Sequence, residues 1–219
     1  MDPDKERFAR ETNARSLAEV IGGSDVFLGL SAAGVLKPEM VKQMGDKPLI
    51  LALANPTPEI LPEEARAVRP DCIIATGRSD YPNQVNNVLC FPYIFRGALD
   101  CGATKITEAM KLACVREIAG LAKAEASDEV AAAYQGQELR FGPDYIIPTP
   151  FDVRLILRIA PAVAKAAAES GVATRPIQDL DAYRQSLTRF VYQTGMFMRP
   201  VFAAAKERPA RVVYAEGED

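Results

Sequence analysis

Three short, unbroken apolar runs, Val26 to Leu30, Leu49 to Leu53 and Cys72 to Ala75, start about 23 residues apart, with helical patterns between them. A run this short, bounded by turn formers, is too brief for a helix, and its lack of alternation is what a strand covered on both faces requires. Val26-Phe27-Leu28-Gly29-Leu30 is therefore expected as a central parallel strand. Helices are expected over Ser16 to Ile21, Pro38 to Met44 and Leu61 to Val68. The first opens on Ser16-Leu17-Ala18-Glu19, which reads as a capping box with Ser16 accepting from the first turn and Glu19 reaching back, and Gly22-Gly23 stops it. Such alternation points to an α/β fold with a parallel sheet and right-handed crossovers.

Beyond Pro92 no comparable strand follows until the last residues, and alanine-rich helical patterns take over: Thr107 to Ala124, Ser127 to Tyr134 and Val153 to Ser170. The last carries Leu155, Ile156, Ile159, Val163 and Ala166 at helical spacing, with a kink expected at Pro161. A turn-rich stretch from Gly142 to Pro150 precedes it. Further helices are expected over Asp181 to Tyr192 and Pro200 to Lys206. Arg211 to Gly217 reads as a strand running into a turn, more natural as the first strand of another domain than as a lone terminal strand. Three parallel strands amount to half of a doubly wound sheet with one edge open. The expectation is thus a segment of a longer protein.

Composition narrows the function. With 26 basic against 29 acidic residues and a net charge of -3, the chain has no basic footprint for nucleic acid. It contains no histidine, so no Ser-His-Asp or Cys-His site can form within it. Cys72, Cys90, Cys101 and Cys114 fit neither a CxxC pair nor a small disulfide scaffold, and they read as reduced, buried thiols of a cytoplasmic protein. The first twenty residues are highly charged, and no uncharged apolar stretch approaches the length of a membrane span. Neither a signal peptide nor a membrane segment is expected.

In open α/β sheets ligands bind outside the carboxyl ends of the strands. The residues there are Ser31-Ala32-Ala33-Gly34 after the first run, Asn55 between Ala54 and Pro56 after the second, and Thr76-Gly77-Arg78-Ser79 after the third. Each taken alone also suits an ordinary turn. Together they favour a binding crevice. No GxGxxG and no GxxxxGK[ST] is present, so a Rossmann-like sheet here would be the second half of one. Acidic residues such as Glu63-Glu64 sit on helical patterns as solvated faces, and no metal cluster is visible. The most distinctive segment is Thr76 to Pro92, where Asn83, Gln84, Asn86 and Asn87 crowd a loop that then turns apolar. Amides donate and accept without changing local charge, and so suit a carboxylate, a carboxamide or a ribose hydroxyl. The same residues would also serve a loop that caps the next helix.

The runs Asp25-Val26-Phe27-Leu28-Gly29 with Ser31-Ala32-Ala33-Gly34-Val35-Leu36, then Leu51-Ala52-Leu53-Ala54-Asn55-Pro56, then Gln84-Val85-Asn86-Asn87-Val88-Leu89-Cys90-Phe91-Pro92, resemble the nicotinamide-nucleotide-binding domain of malic enzymes. The motifs keep that family's order and spacing over roughly Ser16 to Ser170. The chain looks most like the large bacterial form, in which the malic enzyme is fused to a phosphate acetyltransferase-like domain. The resemblance implies residues 1–173 as the C-terminal part of the NAD(P)-binding domain, 174–206 as a helical connector and 207–219 as the start of the second module. It further implies NADP-linked (or NAD-linked) oxidative decarboxylation of malate to pyruvate and carbon dioxide, assisted by Mg2+ or Mn2+, in a full-length protein expected to be a homo-oligomer.

The family's glycine-rich fingerprint, catalytic tyrosine and lysine, and metal-binding carboxylates lie upstream of the part matched, so no catalytic and no metal residue is expected in this chain. Two residues carry over. Asn55 matches a cofactor-contacting asparagine, and Asn87, second of the Asn-Asn pair, matches one that contacts the cofactor and the substrate. Physically, both are positioning groups. The competing expectation is a non-catalytic structural or interaction module linking two enzyme domains.

Overall fold

The three apolar runs form a parallel sheet in the order β1-β2-β3, with β1 at Val26–Gly29, β2 at Leu49–Ala52 and β3 at Ile73–Thr76. The computed structural model describes residues 3–124 and 140–191. Around the strands lie α1 (Pro3–Glu6), α2 (Leu17–Val20), α3 (Pro38–Lys42) and α4 (Pro62–Val68). A 3-10 turn at Asn87–Leu89, α5 (Phe91–Asp100), α6 (Glu108–Lys123), α7 (Arg154–Glu169) and a helical stretch over 180–191 follow. Prolines at the first helical positions of α3, α4 and α5 supply a preset backbone angle where no N–H partner is needed. The segments expected at Ser127 to Tyr134, Pro200 to Lys206 and Arg211 to Gly217, and Tyr192, lie outside the described residues. No helix among those described is long and apolar enough to cross a membrane.

The described residues fall into two units. The first comprises those up to Leu89 and those from Ala119 to Phe151. Its core is built by Phe27, Ile50, Ala52 and Ile74 from the strands, and by Ile21, Leu36, Val41, Met44, Ile60, Ala65 and Cys72 from the crossovers. The second comprises Cys90–Ile118 and the residues from Asp152 on. Here α7 buries Leu155, Ile159, Ala160, Val163, Ala164 and Ala167, and α5 buries Ile94, Gly97 and Ala98. A Cβ at position 97 would collide with the Ala160 carbonyl oxygen and lie 3.0 Å from the Val163 Cβ, so glycine lets these two helices pack closely. Pro161 lies inside α7, which runs on without a break.

Two expectations need correction. Among the described residues β1 pairs only with β2, and so lies at an edge of the sheet and not at its centre. Its exposure alternates, with Phe27 and Gly29 buried and Val26 and Leu28 54% and 58% exposed. An unbroken apolar run shows that both faces can be covered, but not that the described residues cover both. The capping box at Ser16 is also different: its hydroxyl donates to Glu19 Oε1 (2.8 Å), while Glu19 Oε2 accepts the Arg15 N–H (2.8 Å). Four residues make too short a helix for the reciprocal pattern to settle. All four cysteines are free, and three are buried, Cys90 only partly.

Candidate functional site

Parallel register sets Gly29, Ala52 and Thr76 side by side, so the loops after the three strands leave the sheet at one level. One buried carboxylate joins two of them. Glu59, fully buried, accepts the Ser31 N–H (2.8 Å) and hydroxyl (3.3 Å) at Oε1 and the Ala54 N–H (3.1 Å) at Oε2. Backbone bonds from Gly34 to the Pro58 carbonyl (3.2 Å), from Leu36 to the Glu59 carbonyl (3.1 Å) and from Leu53 to the Gly29 carbonyl (3.1 Å) complete the tie. A Cβ at position 29 would stand 2.6 Å from Glu59 Oε1, which explains the glycine at the end of β1.

Asn55 follows β2 through an exposed turn with a cis bond to Pro56. Its carboxamide lies against Gly77, just beyond β3: a Cβ there would come within 2.8 Å of Asn55 Oδ1 and 3.2 Å of Nδ2. The ends of β2 and β3 are thereby brought together, with an amide between them.

The amide-rich loop sorts itself by partner. Asn83, buried and at φ +57, donates from Nδ2 to the Ile74 carbonyl (3.0 Å) and the Pro143 carbonyl (2.8 Å), while its Oδ1 accepts the Ile146 N–H (2.8 Å). Both donors of that carboxamide and one of its two acceptor lone pairs are engaged, which makes it a clamp between β3 and the stretch near residue 145. Gln84 continues the sheet by pairing with Thr76, and Val85 donates to the Thr76 carbonyl (2.8 Å). Asn86 Oδ1 accepts the Val88 N–H (3.0 Å) and so opens the 3-10 turn. Asn87 is exposed at the first position of that turn. Among the described residues, neither the Asn55 nor the Asn87 carboxamide makes a hydrogen bond. Leu89 is buried as the apolar end of the loop suggests, whereas Phe91 is 55% exposed and pins nothing into a core.

Beside the loop, Arg78 pairs with Asp80 (2.5 Å) and lies 5.1 Å from the Tyr81 ring, and the Tyr81 hydroxyl donates to Glu63 (3.0 Å). The Arg78 guanidinium holds the Asp80 carboxyl below its ordinary range, and the hydrogen bond to Glu63 raises the Tyr81 phenol. A cleft of about 670 Å3 runs between residues 79–84 and 140–150, lined by Tyr81, Asn83, Gln84 and Tyr145 among others. Asn55 and Asn87 do not line it. Glu59 and Asn83 carry the architecture of this end of the sheet. Asn83 was visible in sequence as one of the crowded amides, whereas Glu59, an acid set among Pro58, Ile60 and Leu61, was not singled out.

Residues 2–134 match the family described as malic enzyme, NAD binding domain. Over all of this chain, 70% of residues are identical to a protein of Rhizobium meliloti named NAD-dependent malic enzyme, of which the match covers 29%. Over 95% of this chain, 66% are identical to a Salmonella typhimurium protein named NADP-dependent malic enzyme, 28% of which is covered. The chain therefore spans less than a third of the length of these curated relatives. Among solved structures, a malic enzyme from Entamoeba histolytica superposes with a TM-score of 0.72 at 34% identity, covering 90% of this chain and 39% of that one. The malic enzyme of Pyrococcus horikoshii gives 0.68 at 34% identity, covering 87% and 40%.

Proposed function

The chain belongs to the malic enzyme family, of which it carries the NAD-binding domain, and from that premise we propose that it supplies the nicotinamide side of the NAD(P) site in an enzyme that oxidatively decarboxylates malate to pyruvate and carbon dioxide. One observation carries the reading: of the amides at the carboxyl ends of the strands, Asn83 and Asn86 are engaged by the fold, whereas Asn55 and Asn87 find no hydrogen-bond partner among the described residues. When bound, the dinucleotide supplies a hydride acceptor. Asn55 would contact it, and Asn87 would contact both it and a malate carboxylate, each orienting without adding charge. Glu59 holds the two loops that frame Asn55. Relatives of nearly equal identity are named for NAD and for NADP, so the preference for NADP rests on the family alone.

A metal ion does not fit the described residues, because no three His, Cys, Asp or Glu side chains converge among them. In this reading Mg2+ or Mn2+ is held by residues of the full-length protein outside this chain. The same reading assigns residues 1–173 to the NAD(P)-binding domain, 174–206 to a connector and 207–219 to the start of a phosphate acetyltransferase-like module, in a cytoplasmic homo-oligomer that binds no nucleic acid. A second reading, a non-catalytic module joining two enzyme domains, is favoured by uncovered apolar side chains: Val26, Leu28 and Leu30 on and beside β1, and Phe91, Phe95 and Leu99 on α5.

Calorimetric titration of the full-length protein with NADP and NAD separates the two. Saturable binding is expected, and Asn55→Ala should weaken it by about 1 to 3 kcal/mol, the scale of a lost buried hydrogen bond, with the melting temperature nearly unchanged. Absence of saturable binding selects the linking module. A collapsed melting temperature with unaltered affinity in the folded fraction makes Asn55 a turn residue only.

A further inference from the structure

In the second unit, the Cys114 thiol donates to the Cys90 sulfur at 3.1 Å. Cys90 sits at the N-terminal end of α5 and is partly exposed, while Cys114 is buried within α6. Bringing two sulfurs from that separation to a bond of about 2 Å takes roughly 1 Å of movement, within reach of small side-chain rotations. The remaining cysteines differ. Cys101 is fully buried with its thiol on the Ala98 carbonyl (3.4 Å), and Cys72 is buried in the core of the first unit. We propose that Cys90 and Cys114 form a reversible dithiol–disulfide site that a hydroperoxide oxidises. The peroxide oxygen is transferred to the partly exposed Cys90 thiol, giving a sulfenic acid and an alcohol or water. The Cys114 sulfur then attacks Cys90, the S–O bond breaks and water leaves. Two thiols are oxidised to one disulfide and one O–O bond is reduced. Burial, and then the hydrogen bond to Cys90, push the Cys114 thiol up to about 12, so Cys114 is not the first target; its role as the resolving partner rests on its 3.1 Å approach to Cys90. Once closed, the bond ties the start of α5 to the middle of α6, immediately after the 3-10 turn that carries Asn87.

The test treats the full-length chain, natively folded, with hydrogen peroxide, blocks remaining thiols with iodoacetamide and maps tryptic peptides by mass. Cys90 falls on the peptide 79–96 and Cys114 on 112–116, whereas Cys101 and Cys72 fall on 97–105 and 67–78. A linked pair of the first two, lighter by two hydrogens than their sum and separated by dithiothreitol, is expected, with the other two peptides alkylated. Cys114→Ala should abolish the link and leave Cys90 as a sulfenic acid that a dimedone-type reagent traps. Cys90→Ser, which keeps a good helix-capping side chain, should leave Cys114 unoxidised. Peptide 79–96 alkylated in full after peroxide, or linked to another cysteine or another chain, would overturn the assignment.

Discussion

Asn86 and Asn87 are neighbours with the same side chain, and the backbone separates their roles. Asn86 engages its oxygen on the Val88 N–H, while Asn87 stands one residue further on with its carboxamide free. In the full-length enzyme Asn87→Ala is expected to lower kcat/KM for malate by roughly tenfold to a few hundredfold, about 1.4 to 3.4 kcal/mol, with little change in stability. Asn86→Ala should do the reverse, losing about 1 kcal/mol of stability from the opened turn at nearly constant kcat/KM. Equal kinetic losses for the pair would remove the distinction. Gly77→Ala belongs to the same argument, since its methyl group would enter the space of the Asn55 carboxamide and should reproduce part of the Asn55→Ala loss of cofactor affinity. The crowding of amides was legible in sequence. Its sorting was not, because Asn83 finds its partners at Pro143 and Ile146, some 60 residues away, and identical side chains carry no mark of such distant contacts. Glu59 escaped for a related reason: an acid beside prolines reads as solvated until the Ser31 and Ala54 N–H groups are brought to it.

Between elements, α5 and the helical stretch over 180–191 are joined by charge. The Tyr183 hydroxyl donates to Asp100 Oδ2 (2.6 Å), which also accepts Arg96 Nε (2.6 Å), and Arg96 lies 5.1 Å from the Phe190 ring. Burial, and then the bond to Asp100, raise the Tyr183 phenol above its ordinary value. An unfolded tyrosine loses its proton near pH 10 and the folded one holds it longer, so this group's contribution is whole below about pH 10 and declines as pH climbs from there toward the folded value. Tyr183→Phe should cost about 1 kcal/mol near neutrality and flatten the alkaline decline. The check is the urea midpoint measured for both proteins from about pH 8 to 11; two curves that fall in parallel above pH 10 would refute it. The strand positions were legible to within a residue because period and length alone mark a buried strand. The place of β1 at the sheet edge was not, since order in a sheet depends on what pairs with each strand. The 3-10 turn at Asn87–Leu89 was hidden in the same loop that announced the site.

At the scale of the molecule, each unit has its own buried core, yet apolar side chains remain uncovered on β1 and α5, a pattern of surfaces that meet something else. The relatives are more than three times as long. What the described residues contribute at the strand ends is backbone, carboxamides, hydroxyls and one buried carboxylate already engaged by three donors, while the ionisable groups beside them, Arg78 with Asp80 and Tyr81 with Glu63, are paired with one another. Decarboxylation after hydride transfer needs a base to take the hydroxyl proton, an acid to return one to the product and stabilisation of the charge that develops between. Amides supply none of the proton transfers, and histidine is absent from the whole sequence. Positioning alone aligns a reaction that other groups must carry. The 219-residue chain by itself is therefore expected to show no malate-dependent reduction of NADP, with Mg2+ or Mn2+ supplied. The assay is absorbance growth from reduced nicotinamide, with protein purified beside an empty-vector control. Turnover that tracks the chain through purification and exceeds that control would show that proton-transfer groups reside within it, and would overturn the assignment of Asn55 and Asn87 as positioning residues that depend on the remainder of the enzyme.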